Sequence, residues 1–245
     1  MIQICEGAGR HILDVYSQDF SVERKDDRSP LTQADLRAHR HIAAALAERW
    51  PEIPLLSEEG TALSFDTRRQ WSRYWLVDPL DGTREFVKKN GEFTVNIALI
   101  VNGEPVLGVV HAPVLNDTYA AARGAGAVRV RDGLNTPIQT RVQPERPTVL
   151  ASRSHRDART QAWLDALPPH DIESCGSSLK FCMIAAGEAD LYPRLGPTSE
   201  WDTAAAQCVV EEAGGAVLAL PERTPLRYNQ KDSLLNPEFL VVGRV

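Results

Sequence analysis

No stretch of this 245-residue chain reaches the ~18 uncharged apolar residues that a membrane-spanning helix needs. The opening MIQICEGAGRHILDVY has neither the basic start nor the apolar centre of a secretory leader. Cysteine is sparse. Cys5, Cys175, Cys182 and Cys208 sit among apolar neighbours without CxxC spacing, which argues against a disulfide framework or a zinc site and for buried free thiols in a reducing cytoplasm. Positive charge is not in excess either. A formal net charge of −6 argues against a nucleic-acid-coating surface, though a small anionic substrate remains compatible because local charge can oppose the global sign. Several catalytic signatures are missing: GxxxxGK, HExxH, and a GxSxG elbow around Ser152, Ser154 and His155. Gly124-Ala125-Gly126 lacks the third glycine of a dinucleotide fingerprint, and six dispersed histidines offer no metal spacing; His39 and His41, two apart on a helix, face different ways.

What is present is an ordinary globular composition, 43% hydrophobic and 24% charged, long enough for one large domain or two modest ones. Ile4, Cys5, Ala8, Ile12, Val15 and Tyr16 recur at helical spacing. Residues 21 to 31 are charged, aperiodic and contain Pro30, which predicts a mobile loop. A second helix follows, opened by Thr32-x-x-Asp35, with Leu36, Ile42, Ala43, Leu46 and Trp50 on one side, and Pro51 ends it. Phe93, Val95, Ile97, Leu99 and Val101 alternate with Thr94, Asn96, Ala98 and Ile100, the period of a strand, and Asn102-Gly103 turns it into VLGVVHAPV. RVQPERPT reads as a connector, giving an N-terminal α+β subdomain over 1–143 and a C-terminal α/β subdomain over 144–245.

Two aspartates three apart, in WLVDPLDGTREF, are the unusual feature. Asp is a poor strand former, and neighbouring carboxylates repel. Pro79 ends strand pairing after Asp78, so the turn can aim Asp78, Asp81 and the Leu80 carbonyl at one point. Hard oxygen donors of this kind suit Mg²⁺ or Mn²⁺; a capped acidic turn is the plain alternative. Gly82 leaves room for a ligand and Thr83 adds a hydroxyl. Glu58 and Glu59 follow the apolar Pro54-Leu55-Leu56 and have a solvated loop as their plain reading. Asp202 lies three residues after Ser199 at a helix start, where it can cap the helix, and where phosphate also binds well.

With Glu58-Glu59, DPLDGT and EWDTAAAQCVVEEAGG in this order, the chain resembles the inositol monophosphatase superfamily of magnesium-dependent, lithium-sensitive phosphatases. LLSEEG, RYWLVDPLDGTREFVKKNGEFTVNIALI, GVVHAP, SRSH, GSSLKFCMIAAGEADLYPRLGPTSEWDTAAA and LNPEF are similar to the bacterial CysQ-type 3'(2'),5'-bisphosphate nucleotidase branch. Arg84 stands where that branch commonly has lysine. The resemblance covers the chain almost end to end and implies an α/β protein with a layered α-β-α-β-α sandwich of the inositol monophosphatase and fructose-1,6-bisphosphatase type. It implies hydrolysis of adenosine 3',5'-bisphosphate to AMP and phosphate, and action on the related 3'-phosphoadenosine 5'-phosphosulfate, in the service of sulfate assimilation. It also implies two or three Mg²⁺, with Mn²⁺ able to substitute and Li⁺ inhibitory.

By motif position, Glu58, Asp78, the Leu80 carbonyl, Asp81 and Asp202 would hold the metals, the first four from the N-terminal part and Asp202 from the C-terminal part. Glu58, Thr83 and Asp35 would orient a metal-activated water and take its proton. Glu58, Leu80, Asp81, Gly82, Thr83 and Asp202 would line the phosphate, and Ser177, Ser178, Lys180, Tyr192 and Arg194 are the candidate readers of the rest of the substrate. The expected partner is a small bisphosphate nucleotide, not nucleic acid, for a cytoplasmic monomer or dimer whose contact with the inner face of the plasma membrane is at most peripheral. Relatives with the same metal core act on inositol phosphates or sugar bisphosphates, so an inositol monophosphatase-like sugar phosphatase is the alternative. A non-catalytic magnesium or nucleotide sensor is the rival of another class. A haloacid-dehalogenase-type DxDGT site fits poorly, its aspartates being two apart and close to the chain start.

Overall fold

Apolar residues at three- and four-residue spacing build the first layer. The computed structural model describes residues 1–18, 30–152 and 158–244. Ile4, Cys5, Ala8, Ile12 and Val15 form the buried stripe of α1 (Ile2–Tyr16). In α2 (Pro30–Arg49) the buried stripe is Ala34, Ala38, Ile42 and Leu46, each four residues after the last, with Asp35 buried beside it. Helix α2 starts at Pro30, two residues before Thr32, because proline is tolerated in a first turn. Thr32 therefore does not open the helix, and Pro30 and Leu31 are helical; the remainder of the expected loop, 21–29, lies outside the described residues, as do Ser154 and His155.

The chain continues through β1 (Leu55–Ser57), α3 (Phe65–Arg68), β2 (Arg73–Asp81), α4 (Thr83–Val87), β3 (Thr94–Val101), β4 (Glu104–Ala112), β5 (Asp117–Ala122), β6 (Gly126–Arg131) and β7 (Leu134–Ile138). These strands make one seven-stranded sheet in sequence order, with β1 parallel to β2 and every other pair antiparallel. Then follow β8 (Thr148–Ser152), α5 (Ala158–Asp165), β9 (Asp171–Cys175), α6 (Leu179–Ala185), β10 (Leu191–Arg194), α7 (Glu200–Glu212), β11 (Ala216–Ala219), β12 (Thr224–Pro225) and β13 (Phe239–Val242). They form a six-stranded mixed sheet in the order β12-β11-β13-β10-β8-β9.

Helices α1 and α2 cover one face of the first sheet, packing on Trp75, Val77, Val95, Ile97 and Val109. Its other face shares an apolar core with α6, α7 and the inner face of the second sheet, where Leu76, Ala98 and Val110 join Phe181, Val209, Tyr192 and Phe239. Helix α5 closes the outer face, Leu164 packing on Val149, Ala151 and Leu240. The result is the layered α-β-α-β-α arrangement. All four cysteines are buried and none is disulfide-bonded. Among the described residues no helix is long and apolar enough to cross a membrane.

Strand β3 departs from simple alternation. It lies between β2 and β4, and residues Thr94 to Ala98 are buried on both faces, so its two polar positions point into protein rather than water. The layers approach closely at Gly108 on β4, where an added Cβ would overlap the Ala205 carbonyl oxygen of α7 and approach Cys208 Cβ to 2.9 Å. Backbone atoms inside a helix cannot yield cheaply. Gly108→Ala should therefore destabilise by about 1–3 kcal/mol, lowering the thermal midpoint by roughly 2–4 °C per kcal/mol; an unchanged midpoint in differential scanning calorimetry would refute the close packing.

Candidate active site

The two aspartates of β2 reach a common side through an irregularity in pairing. Residues three apart on a regular strand point to opposite faces. Here Asp78 is opposite Asn96 and Asp81 is opposite Thr94, so a three-residue step on β2 faces a two-residue step on β3. The extra residue, in the segment that Pro79 removes from the ladder, restores both carboxylates to one side. Gly82 then takes a left-handed conformation (φ 92°), leading into α4 at Thr83, with Glu92 O and Ser177 Cβ each 3.1 Å from where a Cβ would stand.

Asp202, at the start of α7, completes the set: one carboxylate oxygen each from Asp78, Asp81 and Asp202 lie within 4.8 Å of one another. A backbone N–H steadies every member. Leu80 N donates to Asp78 Oδ1 at 3.0 Å, Ser178 N to Asp81 Oδ2 at 2.7 Å, and Ser199 N to Asp202 Oδ2 at 2.8 Å. In each case the second carboxylate oxygen receives no protein hydrogen bond among the described residues. Asp202 thus both caps its helix and belongs to the cluster.

Burial raises the pKa of all three. For Asp78 the neighbouring charges of Glu58, Asp81, Asp202 and Asp35 add to it. Asp202 is pushed up to about 7 by burial, then by Asp81 and Glu58. For Asp81 burial is opposed by the Lys180 charge and by the two hydrogen bonds from Ser178. Glu58 follows β1, its N–H bonded to Val77 O at 3.1 Å, and faces the same cavity. Asp35 lies behind it on α2 and is not one of the cavity-lining residues. Burial and the charges of Glu59 and Glu58 push its pKa to about 9; it shares a hydrogen bond with Glu59, and its Oδ1 is buried without a partner. Carboxylates held face to face at such cost, with one oxygen of each left open, fit a cationic ligand.

The cavity beside the cluster is about 250 Å³ and is also lined by Leu80, Gly82, Thr83, Ser177, Ser178, Lys180, Tyr192 and Arg194. The second-unit residues are more enclosed than their polarity suggests. Lys180 is 3% exposed; its ammonium donates to Cys175 O at 3.2 Å and Ser177 O at 2.5 Å and lies 5.1 Å above the Tyr192 ring. Tyr192 is 3% exposed and packs edge-on against Phe181 and Phe239. Arg194 donates from Nη2 to Pro197 O at 2.9 Å, with Nε buried and unpartnered. Ser178 is buried with its hydroxyl turned to Asp81 and the Asp202 carbonyl, at 2.9 and 2.8 Å.

Sequence reasoning passed over the residues behind this wall. Asn96 Nδ2 donates to Ser178 Oγ at 3.0 Å, and Glu92 accepts from Gly176 N at 2.8 Å, fixing the turn before α6. Two polar residues in an otherwise apolar central strand were the available signal for Thr94 and Asn96.

These shifts set a pH dependence. The folded pKa values of Asp202 and Asp35 lie above the ~3.9 of an unfolded aspartate, so the folded state holds more protons between the two values. Metal-free stability should be complete below about pH 4 for these groups and fall as pH rises through about 7 to 9. Asp202→Asn should flatten that decline in chemical-denaturation curves taken across pH in chelator. A wild-type and variant pair with parallel profiles would show that the carboxylates do not strain the metal-free fold.

The profile of the inositol monophosphatase family matches residues 1–240. The chain is 49% identical over 241 residues to the 3'(2'),5'-bisphosphate nucleotidase CysQ of Escherichia coli O6:H1, covering 98% of this chain and 96% of that one. Among solved structures it is similar to CysQ from Bacteroides thetaiotaomicron, a bacterial member of the same family, with a TM-score of 0.90, 41% identity and coverage of 100% and 96%. An inositol monophosphatase from Zymomonas mobilis superposes with a TM-score of 0.81 at 25% identity, covering 99% and 90%. The acidic cluster at the end of β2 therefore sits in a shared framework, and the chain belongs to the inositol monophosphatase family.

Proposed function

We propose that the chain is a Mg²⁺-dependent 3'(2'),5'-bisphosphate nucleotidase that hydrolyses adenosine 3',5'-bisphosphate to AMP and phosphate and also accepts 3'-phosphoadenosine 5'-phosphosulfate. The observation that carries this reading is the three-carboxylate cluster beside a cavity that Lys180 and Arg194 also line. Near-full-length likeness to relatives that bear this activity in their names supports it. Mn²⁺ would substitute and Li⁺ would inhibit. Buried, unbridged cysteines fit a reducing cytoplasm.

Glu58, Asp78, the Leu80 carbonyl, Asp81 and Asp202 would hold the cations, an all-oxygen set suited to Mg²⁺. Bound there, Mg²⁺ supplies positive charge to the phosphate and lowers the pKa of water. The protein's own groups do the rest. Glu58 and Thr83 line the cavity and would orient the attacking water, with Asp35 behind Glu58 as the relay for its proton. Gly82 keeps the turn open to the phosphate. In the second unit, two of the three ammonium donors of Lys180 are engaged by carbonyls, which fixes the charge in place and leaves the third for an anion. Ser177 at the turn and Arg194 would contact the second phosphate, and the Tyr192 edge would bound the nucleoside.

A phosphate-release panel with Mg²⁺ tests the reading, using adenosine 3',5'-bisphosphate, 3'-phosphoadenosine 5'-phosphosulfate, inositol 1-phosphate and fructose 1,6-bisphosphate. The nucleotides should be turned over with the highest kcat/KM, and phosphate release from none of the four would leave only a binding protein. In the same assay Lys180→Ala should weaken use of adenosine 3',5'-bisphosphate roughly ten- to a hundredfold, the ~1.5–3 kcal/mol of a charged hydrogen bond. Inositol 1-phosphate, which lacks the distal group, should be affected far less. Equal losses on both substrates would assign Lys180 to the turn it braces instead of to the nucleotide.

A further inference from the structure

Three donors from two residues, Ser178 before α6 and Thr94 on β3, converge on one oxygen of Asp81. The backbone N–H and the hydroxyl of Ser178 meet Oδ2 at 2.7 and 2.9 Å, and Thr94 Oγ1 approaches the same atom at 3.5 Å. Oδ1 receives no protein donor among the described residues. Whether the Ser178 hydroxyl can serve Asp81 depends on what occupies its lone pairs. Asn96 Nδ2 donates to that oxygen at 3.0 Å from the buried face of β3, where Asn96 is 1% exposed. A hydroxyl that accepts from an amide must send its single proton elsewhere, and the acceptors within reach are Asp81 Oδ2 and the Asp202 carbonyl at 2.8 Å. A carboxylate is the stronger acceptor of the two. Placing a carbonyl oxygen at this point instead would draw the hydroxyl proton away from Asp81.

We propose that Asn96 is a positioning residue for divalent-cation binding: it sets the direction of the Ser178 hydroxyl, and through it the rotation of Asp81 that leaves Oδ1 for the cation. The inference rests on reading the acidic cluster as a cation site. Ser178 belongs on this account to the support of the cluster rather than to the recognition of substrate. The same hydroxyl touches the main chain of Asp202, so one amide on β3 steadies ligands from both halves of the chain. Partners behind a metal ligand typically govern affinity by 10–100-fold, and that is the scale expected here.

The test is calorimetric titration of Mn²⁺ into metal-free wild type, Asn96→Ala, Ser178→Ala and the double variant, with no turnover involved. Wild type should bind, each single variant should bind about tenfold more weakly, and the double variant should be no weaker than Ser178→Ala by more than about twofold, because Asn96 acts only through the hydroxyl. Should Asn96→Ala not fold, Asn96→Leu, which fills the volume without a donor, takes its place. Wild-type affinity in an Asn96 variant or in Ser178→Ala overturns the proposal. So does a double variant whose loss is the product of the single losses, which is the signature of a merely structural Asn96. Absence of Mn²⁺ binding by the wild type removes the cation reading itself, a result separable from the others because it appears before any variant is made.

Discussion

Mutual repulsion among Asp78, Asp81 and Asp202, in the presence of Glu58 and Asp35, is the interaction to which much of this structure answers. Two unit charges 4 Å apart cost about 1 kcal/mol in water and about 4 kcal/mol at an effective dielectric of 20. Burial adds to that by penalising each ionised form, as the upward shifts of all three aspartates record. Left to themselves the side chains would rotate apart. Each is prevented from doing so by a backbone N–H drawn from a different part of the chain, at Leu80, Ser178 and Ser199.

The layers are arranged so that these three donors meet. Asp78 and Asp81 end the strand beside β3, while Asp202 opens α7, which is sandwiched between the two sheets. Its N-terminus carries the positive end of the helix dipole, which favours a carboxylate there. Gly108 lets α7 lie close against β4, with the Ala205 carbonyl oxygen standing where a Cβ would be.

Much of this was legible in the residues alone. The stripe of α1, the strand from Thr94 to Val101 and the Asn102-Gly103 turn follow from spacing and turn chemistry. Two acids at the end of an apolar strand stood out as an oddity, and the structure gathers both with Asp202 into one cluster. What stayed hidden depended on distance in sequence. Alternation in β3 did not reveal that Thr94 and Asn96 are buried, nor that Asn96 meets Ser178, 82 residues away. Arg68, fully enclosed and bonded to Asn229 Oδ1 at 2.7 Å, has a partner 161 residues distant. Lys180 and Tyr192 were candidate readers of the substrate by residue type and position; their near-complete enclosure comes from the layers folding together. The start of α2 was misplaced for a local reason, since proline in a first turn resembles proline in a loop.

A carboxylate has two oxygens, and the cluster uses that fact consistently. Helix capping and metal ligation look like competing explanations of Asp202 when only the residue is considered. Atom by atom they are compatible, because Oδ2 is engaged by Ser199 N and the other oxygen accepts no protein hydrogen bond among the described residues. Asp78 likewise has one oxygen engaged by Leu80 N and Asp81 one engaged by Ser178, the other accepting no protein hydrogen bond among the described residues. The structural bond is what makes the remaining oxygen useful: it removes the rotation that repulsion would otherwise drive, so the entropy of ordering the ligand is met during folding and not during binding. A second acceptor site on each aspartate thereby lets one residue serve the fold and the chemistry without compromise between them.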